Sequence, residues 1–273
     1  MTVATPRTHR VENAGVALHV EEWGDGGIPL VLGHGFGGSA RNFRPQARTL
    51  SPAHRVVLFD ARGHARSDAP NDAGAYEPEC FVTDLDRILD VVGAPRAVVG
   101  GLSMGAGVAL RYALLRPERV AGLWLSAFPR AASAPGHLDW ALGFARDLDA
   151  EGIERAGERH AWGARLRSDP KGADMVRRGF LEHSPQALAH VLRGLIAVQP
   201  APAEIASNLA RISVPTGILV GSADAPSLGP SRDLGRLIPG ARLDEVPGGH
   251  VINLENPSAY NAALGDLLAA AGA

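Results

Sequence analysis

Short apolar runs alternate with stretches of helical periodicity through the first half of the chain. Val16, Leu18 and Val20 are separated by more polar neighbours, which predicts a half-buried strand over residues 15–23. Pro29-Leu30-Val31-Leu32, Val56-Val57-Leu58-Phe59, Ala97-Val98-Val99 and residues 120–126 are apolar throughout, as in strands buried on both faces of a parallel sheet. Helices are predicted between them, at 43–50, 80–92 and 108–115; in the second, Phe81, Leu85, Ile88, Leu89 and Val92 fall at helical spacing and Gly93-Ala94-Pro95 ends the run. The alternation breaks at Phe128. From Pro129 to about Asn208 only helical patterns occur, at 138–148, 153–162, 174–181 and 185–196. It resumes with a strand at 214–220, a helix at 231–238, a strand at 241–246 and a terminal helix from Pro257 to about Ala270.

This pattern predicts an α/β core made of residues 1–127 and 208–273, with residues 128–207 inserted as a helical cap. Such an insertion cannot join the sheet. It is expected over the C-terminal ends of the strands, where open α/β sheets bind their ligands. Trp140, Phe144, Trp162, Phe180 and Leu181 are the candidate pocket walls, although aromatics at helical spacing also build a cap's own core.

A length of 273 residues fits one large domain of this kind. With 27 basic and 29 acidic residues the chain has no electrostatic footprint for nucleic acid or an anionic membrane, so a small-molecule partner is expected. Cys80 is the single cysteine, which leaves no internal disulfide and no thiolate cluster. No apolar stretch is long enough to span a bilayer, and residues 1–10 lack the apolar core of a leader; a soluble, cytoplasmic protein is expected. Composition says nothing of oligomeric state.

The chemistry centres on Gly101-Leu102-Ser103-Met104-Gly105, between an apolar run and a helix-like run. A Gly-x-Ser-x-Gly in the order strand, turn, helix holds its serine in a strained conformation with the hydroxyl exposed above the sheet. The loop Gly33-His34-Gly35-Phe36-Gly37-Gly38 also follows a predicted strand. It can bring a backbone N–H, that of Phe36, to the point reached by the N–H of Met104, the pair of donors an oxyanion needs. A serine hydroxyl is a weak nucleophile, so a base and an orienter for that base are required. Asp224 stands at the end of a predicted core strand and His250 in the loop after the last one, so the order is Ser103, Asp224, His250.

His34-Gly35-Phe36-Gly37-Gly38, Asp60-Ala61-Arg62-Gly63-His64, the Ser103 pentapeptide, Gly221-Ser222-Ala223-Asp224 and Gly249-His250 together resemble the α/β-hydrolase superfamily over essentially the whole chain. Within it the chain is similar to cofactor-free esterases, 3-oxoadipate enol-lactonases and cofactor-independent haloperoxidases. The resemblance implies an α/β-hydrolase fold, Ser103 as nucleophile, His250 as general base and then acid, Asp224 as its orienter, and Phe36 and Met104 as oxyanion donors. It calls for no metal and no organic cofactor, and implies an ester or lactone substrate cleaved through an acyl-enzyme. Ala65 departs from the glycine usual in the Asp-x-Arg-Gly-x-Gly loop. Haloalkane dehalogenases and epoxide hydrolases of this fold carry aspartate at the elbow, which disfavours those reactions here. Three alternatives stay open: a carbon–carbon bond hydrolase of the meta-cleavage type, with Asn42, Arg165 and Arg178 available to a carboxylate-bearing substrate; perhydrolysis; and a ligand-binding receptor that retains the triad.

Overall fold

The computed structural model describes residues 5–165 and 170–273, the side chains of Arg165 and Lys171 excepted. Eight strands form one sheet: β1 (Arg7–Asn13), β2 (Val16–Trp23), β3 (Leu30–Gly33), β4 (Val56–Phe59), β5 (Ala97–Leu102), β6 (Val120–Ser126), β7 (Thr216–Gly221) and β8 (Arg242–Val246). Their spatial order is β1-β2-β4-β3-β5-β6-β7-β8. β1 and β2 pair antiparallel, as do β2 and β4, and every other pairing is parallel.

The helices of the core are α1 (Arg44–Leu50), α2 (Pro78–Val91) and α3 (Met104–Leu115). Between β6 and β7 come α4 (His137–Gly157), α5 (Pro170–Phe180), α6 (Pro185–Val191) and the single turn α7 (Ala206–Leu209); α8 (Ala225–Leu237), α9 (Ile252–Glu255) and α10 (Pro257–Ala271) follow. The central strands are apolar throughout because helices cover both faces of the sheet. Val31, Val57, Val99 and Leu123 pack with Leu85 and Ile88 of α2 and Ala109 of α3 on one side. Leu30, Leu32, Val56, Leu58 and Val98 pack with Ala47 of α1 and Leu264 and Leu268 of α10 on the other. Successive residues of one strand thus serve opposite layers, as the period of two requires.

β1 escaped the pattern-based prediction because it is an edge strand: of its seven residues only Val11 is buried, so it carries no apolar signature. α8 begins six residues before the predicted start. Its Pro226 lies in the first turn, where a missing N–H costs nothing, and Pro230 is carried inside the helix. The predicted helix 153–162 is instead the end of α4, kinked at Gly152 with φ 77, followed by a wider π-type turn over Glu158–Trp162. No helix among the described residues is long and apolar enough to cross a membrane.

Candidate active site

β5 and α3 approach β3 so closely that the turn between them has no room for side chains. A Cβ on Gly101 would stand 2.8 Å from the carbonyl carbon of Gly105, and a Cβ on Gly105 would strike the carbonyl of Gly33. Glycine at both positions lets the chain turn sharply at Ser103, which has φ 53 and ψ −112. Both of its peptide groups are tied down: its N–H donates to Ser126 O at 2.9 Å, and its carbonyl accepts from Gly107 N–H at 3.0 Å. Met104 is the first residue of α3, so its N–H has no intrahelical acceptor.

Phe36 sits in a tight turn closed by Gly38 N–H donating to Gly35 O at 2.9 Å. The turn is set by His34, which is fully buried. Nε2 of His34 accepts from Ala61 N–H at 3.0 Å, so its proton is on Nδ1, which donates to Gly35 O at 2.8 Å. Burial holds this imidazole neutral, its pKa lowered to about 4 despite the neighbouring Asp60 carboxylate. Asp60 is buried and accepts from Ala40 N–H at 2.7 Å and from the Arg66 guanidinium at 2.7 Å. Arg62, also buried, reaches Asp84 of α2 through two hydrogen bonds of 2.6 and 2.7 Å. These groups brace loops and do not line the cavity. Ala65 adopts φ 45, the left-handed backbone that a glycine would adopt without strain.

Asp224 follows β7 and caps the start of α8, its side chain 3 % exposed, and its Oδ2 lies 2.7 Å from His250 Nδ1. Burial alone would raise the carboxyl pKa, but hydrogen bonds from His250 and Ser227 outweigh it and hold the group below the usual carboxylate range. The loops carrying Asp224 and His250 meet because Gly221 has no side chain; a Cβ there would strike the carbonyls of Gly248 and Gly249. The His250 loop is further held by Gly249 N–H donating to the Glu255 carboxylate.

Ser103, Asp224 and His250 share one cavity of about 510 Å³ with Phe36 and Met104. Trp140, Phe144 and Phe180 also line it, as expected. Phe36 joins them edge-on, 5.9 Å from the Phe144 ring and 5.5 Å from that of Phe180. Trp162 does not line the cavity. Its ring is 2 % exposed and packs against Gly157 and, at 5.8 Å, against Phe180, in the core of the helical segment where the π-type turn directs it. Leu181 lies past the end of α5 and is 38 % exposed. Arg178 pairs with Asp174 on the outer surface of α5, away from the cavity. Asn42 does line it, with Oδ1 accepting from Ser39 N–H at 2.8 Å. The side chain of Arg165 falls outside the described residues.

Ser227, His160 and Arg130 also line the cavity, and the sequence pattern did not point to them. Ser227 is 1 % exposed, and its N–H donates to Asp224 O at 3.0 Å. Asp224-Ala225-Pro226-Ser227 reads as a helix N-terminus once Pro226 is placed in the first turn, and that signal would have found it. His160 stacks on Phe144 at 4.9 Å and engages Asp147 with Nε2 at 2.8 Å, a pairing across thirteen residues with no local signature.

Comparison with known proteins fixes the family. The family model described as alpha/beta hydrolase fold matches residues 28–257. The chain belongs to the α/β-hydrolase family. The chain is 34 % identical over 121 residues to the mouse protein named Epoxide hydrolase 4, a match covering 44 % of this chain and 34 % of that protein, so it spans about a third of that relative's length. It is 24 % identical over 271 residues to 3-oxoadipate enol-lactonase 2 of Acinetobacter baylyi, covering 91 % of this chain and 92 % of that one. Among solved structures, a thermophilic esterase from Thermogutta terrifontis, in a malate-bound form, superposes with a TM-score of 0.85 at 26 % identity, over 97 % of this chain and 99 % of that one.

Proposed function

We propose that the hydrolase cleaves a carboxylic ester or lactone through an acyl-enzyme on Ser103. The observation that carries this reading is a serine pinned at φ 53 on the wall of the cavity that His250 also faces, the imidazole being engaged from behind by buried Asp224. In the proposed cycle the Ser103 hydroxyl gives its proton to His250 Nε2 as Oγ attacks the substrate carbonyl. The N–H groups of Phe36 and Met104 then receive the oxyanion. His250 returns the proton to the departing alkoxide, and a water deprotonated by the same imidazole releases the acid and regenerates the serine. Asp224 holds the Nδ1–H tautomer and offsets the charge of the imidazolium.

The helices of 128–207 act in this reading as a cap over the core of 1–127 and 208–273, supplying the apolar wall of Trp140, Phe144 and Phe180. Substrates are small molecules. Epoxide opening does not suit the site, because serine attack on an epoxide leaves an alkyl ether that a water and a histidine cannot hydrolyse, whereas a carboxylate nucleophile leaves an ester. Carbon–carbon hydrolysis loses support from Arg178, which is paired outside the cavity.

Initial rates on p-nitrophenyl esters of increasing chain length and on simple lactones, for wild type and Ser103→Ala, test the proposal. The expected result is turnover in the wild type that is lost in the variant, together with covalent labelling of Ser103 by a fluorophosphonate. Equal rates in both proteins, or no turnover and no labelling in the wild type, overturn it.

A further inference from the structure

The charges on the cavity wall are unbalanced. Among the described lining residues Asp224 is the only carboxylate, and it is taken by His250. Arg130 is the only guanidinium there, and no carboxylate pairs with it among the described residues; one of its nitrogens donates to Pro135 O at 2.5 Å. Of the other described arginines of the helical segment, Arg146, Arg159, Arg177, Arg178 and Arg193 reach Asp or Glu, and Arg155 stands exposed on α4 outside the cavity. An unpaired cation on an otherwise largely aromatic and aliphatic wall loses hydration when a substrate fills the cavity, unless that substrate brings a counter-ion.

Arg130 is also placed by the fold in relation to Ser103. The Ser103 N–H is bonded to Ser126 at the end of β6, and the chain runs from there through Ala127, at φ 44, to Arg130. Arg130 thereby lines the same cavity of about 510 Å³ as Ser103. From Arg130 the wall continues along α4: His137, whose protonation is disfavoured first by burial and then by the guanidinium, stacks on Trp140 at 5.3 Å, and Trp140 meets Phe144 at 5.9 Å. The cavity thus has an aromatic side and a single cationic corner.

We propose that Arg130 is a specificity-determining residue that binds a carboxylate on the substrate, so that the preferred ester or lactone is that of a dicarboxylic acid or of another acid bearing a second carboxylate. This rests on the serine-hydrolase reading above. The guanidinium offers two parallel N–H donors to a carboxylate, a geometry that lysine cannot reproduce.

The test compares p-nitrophenyl butanoate with the mono-p-nitrophenyl ester of glutaric acid, which carries a carboxylate beyond a chain of similar length. In the wild type the ratio of kcat/KM for glutarate over butanoate is expected to exceed ten. It should fall at least tenfold in Arg130→Gln and recover in part in Arg130→Lys. Glutarate itself is titrated by calorimetry into Ser103→Ala and into Ser103→Ala/Arg130→Gln, where the second should bind at least tenfold more weakly. A wild-type ratio near or below one, a ratio unmoved by Arg130→Gln, or glutarate binding that ignores Arg130 overturns the proposal. If neither ester is turned over, the Ser103 reading fails, and the calorimetric pair alone then decides for or against Arg130.

Discussion

Ser103 is held at a positive φ by hydrogen bonds to Ser126 and Gly107 on either side, and an L-residue kept in that region stores about 1–3 kcal/mol. Replacing the serine separates strain from chemistry. Ser103→Ala keeps the Cβ and the strain, whereas Ser103→Gly removes both and loses part of the gain to the greater freedom of glycine in the unfolded chain. Chemical denaturation is expected to show Ser103→Gly more stable than Ser103→Ala by about 1 kcal/mol; equal stability would mean that the turn is relaxed. Much of this was legible in the sequence, because an elbow is a local motif whose glycines sit two residues from the serine. Asp224 and His250 were legible because each follows a readable strand. Trp162 was misplaced because the direction in which its side chain leaves the helix depends on the turn after Gly157, which periodicity does not specify, and Arg130 was missed because it lies in the loop between β6 and α4, where there is no periodicity to orient it.

The same close approach, seen at the level of elements, is what docks α3 on β3. A methyl group at Gly105 would meet the Gly33 carbonyl and, at 2.9 Å, that of His34, both backbone and neither able to yield as a flexible side chain would. Gly105→Ala should therefore cost about 3 kcal/mol or more and displace the loop bearing Phe36. Gly265, inside α10, has open space where a Cβ would stand, with nothing within 4 Å, and no positive φ. Gly265→Ala should stabilise by about 0.5–1 kcal/mol, the ordinary helix-propensity gain. Urea midpoints of the two variants measure the contrast, and a Gly105→Ala protein as stable as wild type would reject the account of the elbow. Elements were read well where two-sided burial leaves an apolar run, as in β3, β4 and β6. They were read badly at the sheet edge, in β1, and where proline marks a helix start that resembles a loop, in α8.

Across the whole molecule, three histidines enter the fold neutral. Burial lowers the pKa of His34 to about 4, takes that of His64 well below its usual value, with His34 and His183 adding to the shift, and lowers that of His137, beside Arg130. An unfolded imidazole titrates near 6.5, so below that pH the unfolded chain binds protons that the native state refuses, and stability falls as the solution is acidified. Each such group removes about 1.4 kcal/mol per pH unit between the unfolded and native values. His34 gives a slope of about 1.4 kcal/mol per unit from just below pH 6 toward pH 4, and His64, also fully buried, adds to it in the same direction. Carboxylates act later: Glu21, which hydrogen bonds from Arg44 and Arg66 lower to about 2 against the opposing effect of burial, contributes stability that is lost only as pH falls below the ordinary glutamate range near 4.5. A decline that begins near pH 6.5 is therefore the mark of the histidines. Urea unfolding in steps from pH 7.5 to 4.5 should show it, and His64→Gln, which removes one of the two fully buried rings, should flatten the slope. Constant stability down to pH 5 would show that His34 and His64 take up protons without unfolding. The loop that His34 fixes through Gly35 would then be a place where the site tolerates charge.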